Sequence, residues 1–501
     1  MVSTFQGLEV AKRALNAQQT ALYTTSHNIS NANTEGYTRQ RVNFEQVSSL
    51  APTRFPGGTK SSVGSGVQPG SIQRIRDQFL DVQYRKENSK HSYFDTKATA
   101  LRQLEGIMNE PTEEGLAFSL EQFFNSLQDL GVNPDDAGTR AVVSQRGQAV
   151  ADSFQYIASS LEDVRGDLKN QIDVTTTEMN SIIDQINNVN REIGGIEPHG
   201  QVPNDLYDER DRLIDRLSNI ADISVSYQKS SGQPSPVAEG IATVTLNNVG
   251  QEVTLVDGAT HSVNHLSISY TDENNVEQFT FTDANGTTIE IAPSDFNTNG
   301  NLRGLMEMSG FIDADGEIVG QFNAMRDSLD EMITAYANAF NEVHTAGVDL
   351  EGEEGIPFFI FDTDDPTGSI VVNPAIVNNP NLIAASQNGD SGDGSNANDL
   401  ADVLNNQNVG LGNRTSVKSY YQSVIGNMGV AAQEANRMKD NSAVLRQQVE
   451  ENRASTSAVS LDEEMTNLIK FQHAYNAAAR SMTSVDEMLD QIINRMGLVG
   501  R

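Results

Sequence analysis

Seven histidines, at positions 27, 91, 199, 261, 265, 344 and 473, are the side chains best suited to bind a metal or move a proton. None stands in an H-E-x-x-H pattern, and with no cysteine in the chain there is no thiolate to complete a zinc site. His261 and His265 are four apart at the edge of a strand-like stretch, a spacing that points both to one face about 13 Å apart and so reads as two surface histidines. The segment Asp313-Ala314-Asp315-Gly316 imitates the start of a calcium loop but lacks the third ligand before the glycine and the Glu at the twelfth position, so it reads as a turn. Gly389-Asp390-Ser391-Gly392-Asp393-Gly394 is a single copy of a motif that binds calcium only in series, and reads as a solvated loop. The acids Glu351, Glu353, Glu354, Asp362, Asp364 and Asp365 contain carboxylates enough for glycoside cleavage, which needs two of them ~5 to 10 Å apart. Runs of charge are ordinarily solvated faces, however, and no phosphate-cradling loop or nucleophile elbow accompanies this one. The sequence therefore predicts no catalytic residue, no metal site and no cofactor: it is not expected to be an enzyme.

The elements that carry these residues have an unusual composition. Acidic residues number 68 against 34 Lys plus Arg, a formal net charge of -34, which repels phosphate backbones and disfavours nucleic acid as a partner. The charge is uneven: no Lys or Arg lies between Arg326 and Arg414, while residues 1–50 are close to neutral. The hydrophobic share is 37%, low enough to predict thin, elongated domains with much surface. Tryptophan is absent, and no stretch reads as a signal peptide or as a membrane span, so neither Sec export nor membrane insertion is expected.

Apolar periodicity divides the chain. Phe5, Leu8, Ala11, Leu15, Leu22 and Ile29 form a thin stripe on a helix of about seven turns. A second stripe runs from Val150 through Leu168 to Ile193, with a start near Asp136 and a stop at Gly194-Gly195, a helix of ~85 Å. A third, Val417 to Val449, keeps the spacing of a coiled-coil seam, and a fourth runs from Leu461 to Met496. Between them the period becomes two: Ile223/Val225/Tyr227, Val244/Leu246, Val253/Leu255, Leu266/Ile268/Tyr270, Phe279/Phe281 and Ile289/Ile291, with Asn285-Gly286 as a hairpin turn. The fold class expected is multidomain α plus β: a discontinuous long-helix, coiled-coil body built from both chain ends, with β-rich outer domains inserted. The divisions are 1–50, an N-terminal core helix and turn; 51–221, a helical rod; 222–316, a β-rich insertion; and 317–348, a connecting helix. There follow 349–412, a second small β/loop unit; 413–456, the rod's return; and 457–501, a C-terminal core helix.

The run Ser26-His27-Asn28-Ile29-Ser30-Asn31-Ala32-Asn33-Thr34, continuing Glu35-Gly36-Tyr37-Thr38-Arg39-Gln40, closely resembles the N-terminal signature of the bacterial flagellar rod, hook and hook-associated protein family. Short amides that bond nearby backbone and a glycine that tolerates left-handed geometry make it a helix stop. His27 departs from the small or simple polar residue the signature carries there. At the other end, Ser460-Leu461-Asp462-Glu463-Glu464 through Phe471-Gln472-His473-Ala474-Tyr475 looks like the closing helix of the hook-associated and flagellin side of the family rather than of rod and hook subunits. Arg39-Gln40, the segment Asn204-Asp205-Leu206-Tyr207-Asp208-Glu209-Arg210-Asp211-Arg212-Leu213 and the chain length resemble the hook-associated branch that joins hook to filament.

That resemblance implies a secreted, extracellular structural subunit, passed through the flagellar type III export channel and assembled at the hook–filament junction for motility. It implies as partners further copies of the chain in a ring or helical array, the hook protein, a neighbouring hook-associated protein 3, and a flagellar export chaperone on the C-terminal helix. The residues expected at subunit interfaces are Phe5, Leu8, Leu15, Leu22, Asn28 and Ile29, then Asn31, Asn33, Gly36 and Tyr37 of the turn. On the closing helix they are Leu461, Met465, Leu468, Phe471, Tyr475, Met482, Val485, Leu489 and Ile492. Two alternatives stay open: another axial subunit, hook-associated protein 3 or flagellin-like, or a secreted adhesive module acting through its β-rich middle.

Overall fold

The computed structural model describes residues 4–47, 66–108, 115–412 and 414–495. Met496, the last residue of the fourth stripe, lies outside them. Helix α1 (Thr4–Ser30) leads through a turn into an antiparallel pair, β1 (Gln40–Gln46) and β2 (Val67–Arg74). Helices α2 (Gln78–Met108), α3 (Leu116–Val132), α4 (Ala137–Ile196) and α5 (Asn204–Ile220) follow. The chain returns at the end through α11 (Val417–Ser457) and α12 (Leu461–Asp490). Helix α11 lies along α2, and α12 lies along α1, so residues from opposite ends of the sequence complete both bodies. The fold is multidomain α plus β with long helices at both ends and a β-rich centre.

The 60-residue α4 is the spine, about 90 Å long at 1.5 Å per residue. Its start is capped by the Asp136 carboxylate, which accepts from the Thr139 amide at 3.0 Å. Gly194-Gly195 does not stop it: the helix runs on to Ile196 and ends where Pro198 and Gly200, at φ +78°, turn the chain. Val150, Phe154, Ile157, Leu161, Leu168, Ile182 and Ile186 of the stripe are all buried.

The central sheet holds β3 (Ile223–Gln228), β4 (Ile241–Leu246), β5 (Val253–Asp257), β6 (Ser262–Tyr270) and β7 (Val276–Asp283) as an antiparallel meander, with β8 (Thr288–Ile291) on β7. It lies against α4, and asparagines fasten the two. Asn190 exchanges hydrogen bonds with the Ala242 backbone at 2.8 and 3.1 Å, and Asn180 does the same with Leu266 at 2.8 Å each way. Buried amides thus satisfy strand backbone that a purely apolar helix face would leave unpaired.

Several elements differ from the sequence reading. A helix α6 (Asn301–Ser309) closes the β region, and β9 (Phe311–Ile312) with β10 (Ile318–Val319) extends the sheet past 316. Accordingly α7 (Gln321–Ala346) begins four residues after Glu317. The stretch after it is chiefly loop and short helix: α8 (Pro366–Ser369), α9 (Pro374–Asn378) and α10 (Ser395–Asp402), beside only two-residue strands, β11 (Phe359–Ile360) and β12 (Val371–Val372). Its short apolar runs serve packing rather than a sheet: Phe358 and Phe359 join Phe123, Tyr336 and Phe340 in one aromatic cluster.

Candidate assembly site where the chain ends meet

The turn after α1 is held by its own short side chains. Gly36 takes φ +79°, and a Cβ there would stand 3.3 Å from the Arg212 side chain of α5, so both geometry and space favour glycine. Tyr37 donates its hydroxyl to Asn28 Oδ1 at 2.8 Å, and His27 Nδ1 sits 2.9 Å from the same phenol oxygen, which gives the unexpected histidine a partner. Burial first, then Asp208, Asp205 and Glu464, push the Tyr37 hydroxyl far above the usual phenol range, so it stays a donor.

Asn28 is 1% exposed and is bonded on every side. Its Oδ1 also accepts from the Gln40 amide at 3.0 Å, and its Nδ2 donates to Gln40 O at 2.8 Å and to the Glu464 carboxylate of α12 at 3.0 Å. Glu464, buried too, takes Arg39 Nε at 2.9 Å on its other oxygen, while Arg39 Nη1 reaches Glu463 at 2.6 Å. The Arg39 backbone amide donates to Ser457 O, at the last turn of α11, at 2.9 Å. One residue of the signature therefore touches the end of one C-terminal helix and the start of the next.

Behind the turn lies a dense ionic cluster. Arg74 binds Asp208 at 2.7 Å and Asp211 at 2.9 Å, both on α5, and also pairs with Glu239. Arg76 binds Asp81 at 2.6 Å, Arg85 binds Asp215 at 2.7 Å, and Arg453 of α11 spans Asp81 at 3.1 Å and Asp215 at 2.5 Å. Burial would raise the Asp211 carboxyl, but Arg76, Arg74, Arg210 and Arg85 outweigh it and hold it well below the ordinary carboxylate range. Asp208 goes the other way: burial lifts it despite Arg74. The segment Asn204 to Leu213 is the acidic half of this lock, with Asn204 and Asp205 meeting Gln40 at 3.3 and 3.2 Å. Its arginine half, Arg74, Arg76, Arg85 and Arg453, was not singled out from sequence. The available signal was the spacing of Asp208, Asp211 and Asp215 along one helix face, too acidic to be buried without cations.

The expected interface residues fall into three groups. Asn28 and Leu489 are buried within the chain. Leu8, Leu15, Leu22, Ile29, Leu468, Phe471, Tyr475, Met482 and Val485 are half-buried, as are Asn31, Gly36 and Tyr37. Phe5, Asn33, Leu461, Met465 and Ile492 are exposed, and so is Ile469, which the seam did not include. The buried face of α1 is built from small residues, Ala11, Ala17, Ala21, Thr24 and Thr25, which let α12 approach closely. A single layer of helix pairing leaves much of the apolar surface of α12 uncovered.

Several of the side chains weighed for chemistry make structural contacts. His261 lies in the turn before β6, at φ +55°, rather than on a strand, and His265 pairs with Asp184 at 3.0 Å. Asp313 and Asp393 accept backbone amides in tight turns, and Asp365 caps α8 while binding Arg326 at 2.6 Å. Among the described residues no group of three or more His, Cys, Asp or Glu is placed to hold a metal, and no helix is long and apolar enough to cross a membrane.

Residues 101–359 match the family model described as the flagellar hook-associated protein FlgK helical domain. Residues 8–38 match that of the flagella basal body rod protein, and residues 451–496 that of the flagellar basal body rod FlgEFG protein C-terminal. The closing helix thus shares its pattern with rod subunits and does not by itself mark the hook-associated side. The chain is 44% identical to flagellar hook-associated protein 1 of Bacillus subtilis over the whole of both chains. It is 25% identical to the protein of that name from Salmonella typhimurium, over 97% of this chain and 98% of the other. The structure of the flagellar hook junction protein FlgK from Burkholderia pseudomallei shares the fold, with a TM-score of 0.62 at 15% identity, over 76% of this chain and all of that one. The chain belongs to the flagellar hook-associated protein 1 family, structural components of the flagellum.

Proposed function

We propose that this chain forms the junction between hook and filament. The observation that carries the reading is the pairing of α1 with α12, which leaves Phe5, Leu461, Met465, Ile469 and Ile492 exposed on the body made from the two chain ends. Apolar residues in such number are costly in water and are relieved by copies packed side by side. Lateral contacts run through the seam residues named above, so the chain presents one end of the array to the hook protein and the other to hook-associated protein 3. The nearly neutral ends suit the packed wall and the acidic middle suits the solvated outside. The absence of cysteine leaves no disulfide to form before passage through the type III channel. Before export, the exposed apolar stripe of α12 is the segment a chaperone groove would hold, and a chain truncated before Leu461 should lose that binding.

Immunogold electron microscopy of intact flagella, with antibody against residues 222–412, tests the reading. A compact band where hook meets filament is the expected result. Label along the whole filament would make the chain a flagellin-like subunit, and its absence from flagella would favour an adhesive role.

A further inference from the structure

Helices α11 and α12 are separated by only Ala458, Val459 and Ser460, and each belongs to a different body: α11 to the α2 pair, α12 to the α1 pair. A three-residue link between helices can take one of a few conformations, and contacts across it decide which. Thr38 and Gln40 tie the turn separately to Asp208 and Asp205 of α5, while Arg39 spans the link itself. Its amide donates to Ser457 O at 2.9 Å, its carbonyl accepts from the Ile75 amide at 2.8 Å, and its guanidinium grips Glu464 at 2.9 Å and Glu463 at 2.6 Å. The amide of this residue is thus anchored on the rod side, through Ser457, and its side chain on the terminal side. Both acids sit in the first turn of α12, beside Asp462, where negative charge is favoured by the helix dipole and where a cation has the greatest leverage on the helix direction.

We propose that Arg39 is the clasp that sets the angle between α11 and α12, and that releasing it lets the α1–α12 body swing about residues 458–460 while both bodies stay folded. Each body has its own reasons to persist. The rod side keeps Arg453 on Asp81 and Asp215, and the terminal side keeps Asn28 on Glu464 and Gln40. Glu463 is largely exposed, with a side-chain exposure of 62%, so half of the grip lies in water and weakens with salt, while the Glu464 half is sheltered. The clasp acts within one chain, whichever axial structure the chain joins.

The lack of cysteine makes the test clean. Spin labels at Val444→Cys on α11 and Arg480→Cys on α12, both exposed, report the angle as a distance by pulsed electron spin resonance. A swing of about 10° moves a label about 28 Å from the hinge by about 5 Å. The native chain should give one narrow distribution. Arg39→Ala should broaden or shift it by several ångströms and Arg39→Lys should do so less, because an ammonium keeps charge but loses the fork. Glu463→Gln, which spares the buried carboxylate, should give an intermediate broadening, and Arg41→Ala, an exposed neighbour, should give none. Control pairs within each body, Arg102→Cys with Val444→Cys and Lys12→Cys with Arg480→Cys, should stay narrow in every variant. An unchanged Val444–Arg480 distribution in Arg39→Ala would overturn the proposal. So would broadening of the control pairs, which would make Arg39 a general stabiliser of the fold.

Discussion

The Asn28 amide lies 3.0 Å from the buried carboxylate of Glu464, across 436 residues of sequence. That carboxylate also takes Arg39 Nε on its other oxygen, so two residues of the N-terminal signature meet the C-terminal helix on one buried acid. Replacing it with alanine leaves one N–H of the buried Asn28 amide and the Arg39 Nε without a partner, although each group keeps its other bond. Glu464→Ala should cost about 3 kcal/mol, and Glu464→Gln, which keeps one acceptor, about half of that. Denaturant unfolding read on the α1–α12 pair by amide exchange checks both values.

Asp211 should be the most damaging single position in the ionic cluster. Asp211→Asn leaves Arg74, Arg76 and Arg85 facing a neutral group inside the protein, at a cost of about 3–5 kcal/mol. The folded-state pKa of this carboxyl is depressed, so its stabilisation is present above the ordinary value near ~3.9 and is lost as the pH falls through the folded value. Asp208, raised by burial, opposes that trend. Urea midpoints measured from pH 5 downward should therefore fall less steeply in Asp211→Asn than in the native chain.

His344 predicts a separate acid-sensitive step. Its Nδ1–H donates to Ile356 O at 2.6 Å and its Nε2 accepts from the Ala384 amide at 3.0 Å, an arrangement only the neutral ring can make. Burial pushes its pKa down from 6.5 to about 4, with Ile356 O and Asp349 favouring the charged form and Arg140 opposing it. The stabilisation is complete above pH 6.5 and declines as the pH falls toward 4, by on the order of 3 kcal/mol. In His344→Gln the slope of stability against pH over that window should flatten, as equilibrium unfolding at a series of pH values would reveal.

Asn190→Ala should cost about 2 kcal/mol, because the Ala242 amide and carbonyl lose both partners inside the protein. The cost should appear as faster exchange at Ala242 and its neighbours in β4, with α1 and α12 unaffected.

Met465→Asp and Ile469→Asp place a charge on the exposed stripe of α12 without disturbing buried packing. Monomer stability should change by less than about 0.5 kcal/mol. Incorporation into flagella, scored by complementation of a strain lacking the chain, should be lost.

Much of this architecture was legible from periodicity. The stripes on α1, α4, α11 and α12 and the alternation in β3 to β8 are long, and a long pattern averages out local exceptions. What escaped was short or polar. The nine residues of α6 hold too few apolar repeats to stand out, and the two-residue strands after Phe358 owe their place to aromatic packing. At the site, the signature residues Asn28, Gly36, Tyr37 and Arg39 could be picked out in sequence, but not that Asn28 and Arg39 share Glu464 as a partner. Nothing local distinguishes it from Glu463, and only tertiary burial separates the two.

The pairing of α1 with α12 has a temporal side. Helix α1 makes its main contact with the last helix of the chain, so loop closure over more than 400 residues must precede it, and such closure is slow. A chain that emerges from a pore by either end therefore cannot shut its terminal body until the other end is free. For a chain delivered in that way, completion of the fold and completion of passage would be the same event.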